Sequence, residues 1–335
     1  MKVAVFEAEQ WEHEACLRLE PAHHVSCTRE ILDEGSAKIH ADAQIISPFV
    51  YSRLNARVLS LFPALKLIAT RSTGYDHIDL GYCREHGIAV ANVPGYGDAT
   101  VAEHVFALLL ALARRIVDAA ERTRRGRFDQ SGLRGFELAG KTIAVIGTGR
   151  IGLHVIQIAR GFGMEVLAVD ARPNEAAAQR LSFRYVPLDA ALAAGDVITL
   201  HVPATPATSR LVSEREFRLM KPSAVLINTA RGSVVDVEAL VRALADGRLG
   251  AAGLDVLPRE PQLRDEAEIF RAGAEGGHDL KALVANHVLL RFPNVLVTPH
   301  NAYNTSEAIG RIIETTLENI EAFARGAPQN VVARA

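Results

Sequence analysis

A glycine-rich loop between an apolar strand and a helix constrains the fold of this chain more than any other feature. Its glycines are Gly147, Gly149 and Gly152, in the sequence GTGRIG, directly after the apolar run TIAVI. The first glycine permits a tight turn, the second lets backbone approach a pyrophosphate, and the third allows close helix–strand packing. The phosphates would then lie at the N-terminus of the helix. This arrangement predicts a dinucleotide-binding βαβ unit.

An acidic residue at the end of the next strand indicates which dinucleotide is bound. Asp170 lies 170 − 152 = 18 positions after Gly152, where a carboxylate accepts hydrogen bonds from the adenosine ribose of NAD and repels the 2′-phosphate of NADP. The alternative is a glycine turn beside a surface acid. Because the loop, the helix and the acid agree, we predict NAD, and Arg172 nearby leaves some use of NADP open.

Apolar strand-like runs alternate with helical runs along the whole chain, which is typical of βαβ units around parallel sheets. We therefore predict an α/β fold with two doubly wound, Rossmann-like domains and an active-site cleft between them. In the first part, strands are expected at 3–6, 45–46, 67–69 and 88–90, and helices at 51–61 and 78–85. Six strands are expected in the second part, at 142–146, 166–169, 197–200, 225–227, 252–254 and 295–297.

Three further segments complete this expected organisation. A helix is expected over 99–119 with Asp98 as its N-cap. An amphipathic helix over 306–325 would return to the first domain, and no strand is expected after the sixth. The stretch 261–292 looks like an insertion beside the site, with helical segments at 263–271 and 280–290.

Composition excludes several classes of protein. The 335 residues carry 37 Lys and Arg against 39 Asp and Glu, a net charge of −2, and lack the basic stripe of a nucleic-acid binder or a polybasic membrane anchor. The longest apolar run, 105–113, is half of what a membrane span needs. Cys16, Cys27 and Cys83 match no disulfide or zinc pattern. We expect a cytoplasmic protein with no membrane or nucleic-acid partner.

Three charged or titratable residues follow later strands, at the sheet edge where open α/β folds bind ligands. Arg231 offers a planar fork for a carboxylate, and His300 is suited to acid–base chemistry near neutral pH. Glu260 could orient His300 and stabilise its charged form. Taken singly, Arg231 could be a solvated charge, Glu260 part of a surface ion pair and His300 a loop histidine. His104 and His154 lie within helices, which favours packing or surface roles.

A second candidate loop follows the strand LKLIAT in the first domain. It is centred on Gly74 and Tyr75, and a glycine-centred loop before a helix exposes backbone N–H groups that suit a small carboxylate. A plain strand–helix turn is the alternative.

The chain resembles the D-2-hydroxyacid dehydrogenase family, and within it the D-lactate dehydrogenase branch, from about residue 67 to residue 305. The resemblance is carried by the segments STGYDHID, VPGYGDATVAEH, VIGTGRIG, INTARGSVVD, AAGLDV and VLVTPHNAYNT. It implies a flavodoxin-like substrate domain from residues 1–98 plus 301–335, an NAD-binding domain from residues 99–300, and a homodimer formed largely through the NAD-binding domain.

The resemblance also assigns roles to individual residues. Arg231 matches the substrate-carboxylate arginine, His300 the catalytic histidine and Glu260 its acidic partner. The positions matching cofactor contacts, besides the three glycines and Asp170, are Arg150, Ile151, Val202, Pro203, Thr208, Thr229, Ala230 and Asp255. Thr73 and Gly74 match the cradle for the substrate carboxylate, and Tyr96 matches an aromatic residue near the substrate.

These roles imply NADH-dependent reduction of a small 2-keto acid, with pyruvate as the favoured substrate and no metal. The side-chain pocket departs from the branch, because Asp255-Val256 is followed by LPRE and because 300 − 260 = 40 positions separate Glu260 from His300. Glyoxylate, hydroxypyruvate and branched 2-keto acids therefore stay open as substrates, as do phosphite and phosphoglycerate oxidation. An NAD(H)-sensing protein of the co-repressor type is the alternative from another class.

Overall fold

The computed structural model describes residues 1–258 and 280–333, and the chain separates into two compact units. Unit 1 comprises Met1–Tyr96 and Asn304–Ala335, and unit 2 comprises Gly97–Tyr303. Each unit contains its own sheet, and buried apolar side chains pack on both sheets. The predicted fold class, two doubly wound α/β domains with parallel sheets, is confirmed.

Unit 1 alternates short strands with short helices. Its strands are β1 (Lys2–Val5), β2 (His24–Cys27), β3 (Ile45–Ser47), β4 (Leu67–Ala69), β5 (Ala89–Ala91) and β13 (Val331–Ala333). Its helices are α1 (Gln10–Cys16), α2 (Glu34–Ile39), α3 (Ala56–Leu59), α4 (Leu80–Glu85) and α13 (Ser306–Ala324). The sheet order is β13-β5-β4-β3-β1-β2. Its five parallel strands follow the flavodoxin-like order 2-1-3-4-5.

The C-terminal segment returns to unit 1, as expected from its amphipathic pattern. Ile313, Leu317 and Ile320 of α13 are buried in the same core as the residues of β1, β3 and β4. The expectation that no strand follows the sixth was wrong. β13 pairs antiparallel with β5, and its Val-Val-Ala sequence is too short for periodicity to reveal.

Unit 2 begins with two helices and continues as a strand–helix repeat. Its strands are β6 (Thr142–Ile146), β7 (Glu165–Val169), β8 (Arg184–Tyr185), β9 (Val197–Leu200), β10 (Val225–Asn228), β11 (Ala251–Leu254) and β12 (Val295–Val297). Its described helices are α5 (Asp98–Ala113), α6 (Ile116–Arg124), α7 (Arg150–Gly161), α8 (Glu175–Leu181), α9 (Leu188–Ala194), α10 (Glu214–Leu219), α11 (Val237–Ala245) and α12 (Leu280–Leu289).

The strand order of unit 2 identifies its binding edge. The order β8-β7-β6-β9-β10-β11-β12 is fully parallel and corresponds to 3-2-1-4-5-6 with a seventh strand added. The order reverses between β6 and β9, and ligands of such sheets bind outside the carboxyl ends of the strands at that switch point. All six strands predicted from the sequence are present. The additional strand, β8, is a two-residue edge strand with the sequence Arg-Tyr, which contains no apolar run from which a strand could be predicted.

Several predicted helices differ from the observed ones. The helix expected over 99–119 breaks at Arg115, whose φ of 52° is left-handed, into α5 and α6. Its N-cap is Gly97, not Asp98, which is the first helical residue. The helix expected over 51–61 shrinks to α3, because the carboxylate of Glu7 accepts hydrogen bonds from the N–H groups of Phe49, Tyr51 and Ser52 and holds that stretch as a loop.

The predicted insertion is described only in part. The helical stretch expected at 280–290 corresponds to α12, whereas the one expected at 263–271 lies outside the described residues. Within residues 1–258 and 280–333, no helix combines the length and the apolar composition that crossing a membrane requires.

We expect the buried side chain of Asn319 to be a main determinant of unit 1 stability. Its Nδ2 donates to Asn92 O at 2.9 Å, and its Oδ1 accepts from Asn330 Nδ2 at 2.8 Å, so it joins α13 to β5 and to the start of β13. Asn319→Ala leaves both partners unpaired and should cost about 2–4 kcal/mol. Glu318→Ala, exposed on the same helix, is the control. Urea unfolding measures both, and equal stabilities would refute the assignment.

Candidate active site

The glycine-rich loop between β6 and α7 has the predicted geometry. Gly147 has a φ of 99°, and a Cβ there would lie 2.5 Å from His201 O. A Cβ on Gly152 would lie 2.0 Å from Gly147 O, whereas one on Gly149 would meet no described atom within 4 Å. Two glycines therefore permit close backbone packing, and the third leaves open space. Gly149 caps α7 without a side-chain hydrogen bond, which suits an anion at the helix N-terminus.

Asp170, directly after β7, is held as an ionised acceptor beside this loop. Its carboxylate accepts from Thr148 N at 2.6 Å, from Thr148 Oγ1 at 2.8 Å and from Arg172 N at 2.8 Å. Burial opposes ionisation, but these hydrogen bonds prevail and hold the pKa of Asp170 below its usual value. An ionised carboxylate at the end of this strand fits the ribose of NAD.

Tyr185 is a functional candidate that the sequence did not reveal. Its hydroxyl lies 2.8 Å from Thr148 Oγ1 and accepts from Asn174 N at 3.0 Å. Because Thr148 Oγ1 already donates to Asp170, Tyr185 donates to Thr148. Tyr185 thus joins the glycine loop to the loop that follows β7. Tyr185 lies on β8, a strand that the sequence pattern did not predict, so its position beside the glycine loop was not predicted either.

The remaining predicted contacts to the phosphates and the adenosine lie around the same loop. Arg150 is 70% exposed, and its Nε donates to Asp98 at 2.5 Å. Ile151 is partly buried and packs against the apolar core that includes residues of α5 and α7. Val202 lies beside Gly147. Thr208 Oγ1 donates to Pro203 O and accepts from Thr205 N, which closes the loop after β9.

Arg231 follows β10 in a turn that Asn228 holds. The buried Asn228 side chain accepts from Ala230 N and donates to Arg231 O, both at 3.0 Å. Arg231 is half-buried, and its Nη1 donates to Ala230 O at 2.8 Å. Thr229 Oγ1 is buried and has no hydrogen-bond partner among the described residues, so it is available to a bound ligand.

The Arg231 turn packs tightly against the segment after β11. A Cβ on Gly232 would lie 2.2 Å from the carbonyl carbon of Leu257, so only glycine fits there. Pro258 is the last described residue before the gap, and Glu260 lies outside the described residues. The contact between Gly232 and Leu257 places the segment directly after β11 next to the Arg231 turn.

His300 follows β12 in a left-handed backbone conformation, with a φ of 54°. A residue other than glycine adopts this conformation rarely and at a cost, and such residues concentrate at functional sites. Its N–H donates to Asp255 O and is shared with Thr298 O, both at 2.9 Å. The structure therefore brings the segment after β11 and the His300 loop together at one sheet edge.

Asp255 fixes the His300 loop with its carboxylate. Oδ1 accepts from Thr298 Oγ1 at 2.5 Å and from Asn301 N at 3.0 Å, and Oδ2 accepts from Ala302 N at 2.9 Å. Burial opposes the ionisation of Asp255, but hydrogen bonds from His104, Thr298 and these N–H groups hold its pKa below the usual value. The predicted contact of Asp255 with nicotinamide stays a prediction. The structure shows in addition that Asp255 holds the His300 loop, which the sequence did not reveal.

The candidate substrate loop of unit 1 is held by side chains around it. Thr73 Oγ1 donates to Val93 O at 2.7 Å, Asn92 Nδ2 donates to Thr73 O at 2.8 Å, and Ser72 Oγ donates to Gly74 O at 2.6 Å. The side chain of Tyr75 is exposed. Tyr96 O accepts from Arg311 Nε of α13 at 2.8 Å.

Comparison with known proteins identifies the family. The model of the family "D-isomer specific 2-hydroxyacid dehydrogenase, NAD binding domain" matches residues 106–302. D-lactate dehydrogenase of Escherichia coli is 34% identical over 97% of this chain and 98% of its own length. Glyoxylate reductase of Korarchaeum cryptofilum is 36% identical over 87% of this chain and 83% of its own length.

A solved structure gives the same result. D-lactate dehydrogenase from Aquifex aeolicus, complexed with NAD and lactic acid, superposes with a TM-score of 0.87, is 36% identical and covers 99% of both chains. This chain belongs to the D-isomer-specific 2-hydroxyacid dehydrogenase family. It is an oxidoreductase of that family and binds NAD, so both predictions are confirmed. The open space at Gly149, the ionised Asp170 and the unpaired Thr229 hydroxyl fit this cofactor.

Gly152→Ala should weaken both the fold of unit 2 and the binding of NADH, because its Cβ would meet the carbonyl oxygen of Gly147. Overpacking of this kind costs about 1–3 kcal/mol. Gly149→Ala is the matched control and should change the unfolding free energy by less than about 0.5 kcal/mol, while its methyl group hinders the pyrophosphate. Urea unfolding gives the stability, and fluorescence titration gives NADH affinity. Equal unfolding free energies for the two variants would contradict this description of the loop.

Proposed function

We propose that this protein catalyses reversible hydride transfer between NADH and a small 2-keto acid, with pyruvate favoured and D-lactate as product. The observation that carries the proposal is the placement of Arg231, His300 and the glycine loop at the carboxyl edge of one parallel sheet, after β10, β12 and β6. An anion-binding fork and an acid–base group thereby lie on the same edge as the dinucleotide loop.

Each residue has a distinct role in the proposed reaction. NADH, when bound, supplies the hydride. The guanidinium of Arg231 binds the substrate carboxylate bidentately and polarises the keto oxygen. The imidazole of His300 donates a proton to that oxygen during reduction and removes it during oxidation. Glu260, as the predicted partner of His300, stabilises the charged ring and orients it. No metal is required, because Arg231 and His300 together neutralise the developing oxyanion.

Reduction of glyoxylate is the second candidate for the same residues. It is favoured by the glyoxylate reductase relative, whose 36% identity to this chain is comparable to the 34% and 36% of the D-lactate dehydrogenases. Both substrates are small 2-keto acids and differ by one methyl group at the keto carbon. Hydrophobic pockets discriminate a single methyl group only about 10- to 200-fold, so activity on both is expected.

In unit 1, we assign Thr73 and Gly74 to the substrate carboxylate and Tyr75 and Tyr96 to the surroundings of the substrate. Three side chain–backbone hydrogen bonds that fix the loop after β4 support the first assignment, because a pre-ordered loop binds an anion at lower entropic cost. Ala substitution at Tyr96 that leaves the KM for pyruvate unchanged would remove Tyr96 from this set.

We also propose a homodimer formed through α6 and the segment after it. The described side chains of α6 are all at least partly exposed, with Ile116 55% exposed, and Phe128 just beyond it is 81% exposed. Large apolar side chains exposed together mark an interaction surface, and a second copy of the chain is the usual partner in oligomeric enzymes. Sedimentation equilibrium should give a dimer that Phe128→Glu weakens; a monomeric wild-type protein at micromolar concentration would overturn this proposal.

The cytoplasm is the compartment we propose. Cys16, Cys27 and Cys83 carry free thiols, and a reducing compartment keeps thiols in that state. Recovery of the native protein from an oxidising compartment in cell fractionation would contradict this placement.

We expect the wild-type protein to oxidise NADH with pyruvate and with glyoxylate in an absorbance assay over a panel of 2-keto acids. His300→Gln and His300→Asn should lower kcat by about 100- to 10,000-fold while NADH binding is kept. Asn tolerates the left-handed backbone better than Gln, so agreement between the two variants separates lost chemistry from backbone strain. His86→Gln, exposed at the end of α4, is the control.

Two outcomes would overturn the proposed function. NADH oxidation with none of the 2-keto acids would favour an NAD(H)-sensing binding protein. A nearly normal kcat in both His300 variants would remove His300 from the reaction.

A further inference from the structure

His104 on α5 is a titratable side chain that the proposed reaction does not use, and it lies against the residues that hold His300. Its position follows from the packing of α5 on the sheet. Gly253 of β11 has no side chain, and a Cβ there would lie 3.1 Å from Leu108 Cβ, so α5 approaches β11 closely. His104 lies one helical turn before Leu108, and Asp255 lies two residues after Gly253 on the same side of the strand.

This packing places His104 in hydrogen-bond contact with the His300 loop. His104 Nε2 lies 3.0 Å from Thr298 Oγ1 and 3.5 Å from Asp255 Oδ1. Because Thr298 Oγ1 donates its proton to Asp255, it accepts from His104, and Nε2 of His104 therefore carries a hydrogen. A chain of hydrogen bonds runs from His104 through the Thr298 hydroxyl to the buried carboxylate of Asp255.

The backbone oxygen and the carboxylate of Asp255 both accept hydrogen bonds from the loop that carries His300. Asp255 O accepts from His300 N, and the carboxylate accepts from the N–H groups of Asn301 and Ala302. These bonds hold His300 in its left-handed conformation, which sets the direction in which its ring leaves the backbone. A change in the position of Asp255 or Thr298 therefore moves the backbone of His300 and, with it, the imidazole ring.

We propose that His104 is a positioning residue for the reaction, which acts on His300 through Thr298 and Asp255. The expected effect on kcat rests on the proposed function, whereas the expected effect on the His300 loop rests on the geometry of the described residues. Loss of the Nε2 donor leaves the Thr298 hydroxyl short of one hydrogen bond and Asp255 with less compensation for its buried charge. The loop then samples conformations in which His300 is misdirected.

Three substitutions separate positioning from packing. In His104→Gln, the amide nitrogen reaches the place of Nε2 and can still donate to Thr298. In His104→Asn, the shorter amide reaches only the place of Nδ1, so the donor is lost in a side chain of similar polarity. His104→Leu keeps the volume without any donor. Glu103→Gln, on the exposed side of α5, is the control.

We expect the Asn and Leu variants to lower kcat for pyruvate reduction by about 10- to 100-fold with unchanged NADH affinity. The Gln variant should stay within about 3-fold of wild type, since it keeps the donor. Equal kcat for the Gln and Asn variants would overturn the proposal. So would a loss of kcat accompanied by an equal loss of NADH affinity, since that indicates a general disturbance of unit 2.

Hydrogen–deuterium exchange tests the structural consequence without any activity. The peptide that covers residues 298–302 should exchange faster in the Asn and Leu variants and at the wild-type rate in the Gln variant. Unchanged exchange in all three variants would overturn the positioning role. If the wild-type protein reduces no 2-keto acid, the proposed function fails, and this exchange pattern still decides whether His104 holds the loop.

Discussion

The carboxylate of Asp255 is 1% exposed and accepts hydrogen bonds from a hydroxyl and two backbone N–H groups of the segment that carries His300. The left-handed conformation of His300 costs about 1–2 kcal/mol relative to an ordinary backbone. Hydrogen bonds to a charged acceptor are about twice as strong as those between neutral groups, so three of them offset this cost. The direction of the His300 ring therefore depends on one buried charge, which hydrogen bonds keep ionised against the effect of burial.

Glycines determine how closely several segments of unit 2 approach each other. Gly147 meets the backbone at His201, Gly232 meets Leu257, and Gly253 admits α5 onto β11. The first two approaches join segments that follow different strands, and the third brings α5 against β11. The dinucleotide loop, the arginine turn and the histidine loop all follow strands at one edge of the sheet. The Arg231 turn therefore depends on Gly232, a residue without a side chain.

The sequence predicts best what is encoded locally. The strand β6, the glycine loop and α7 are contiguous, and the apolar run and the glycines appear at the positions where they act. Edge strands such as β8 and β13 are missed, because pairing with a neighbour determines them and their own residues carry little pattern. Tyr185 and His104 are missed for a related reason. Each forms a hydrogen bond to a residue far away in the sequence, Thr148 or Thr298, which the spacing of residues along the chain does not reveal.

This chain belongs to the D-isomer-specific 2-hydroxyacid dehydrogenase family, and the reaction proposed for it adds a hydride and a proton across the keto group of pyruvate. The most direct measurement uses NADH in which both C4 hydrogens are replaced by deuterium, with pyruvate as acceptor, and analysis of the product by NMR and a chiral column. The account predicts D-lactate with deuterium bound at C2, because the label moves directly from cofactor to substrate. L-lactate, or lactate without deuterium at C2, would contradict it.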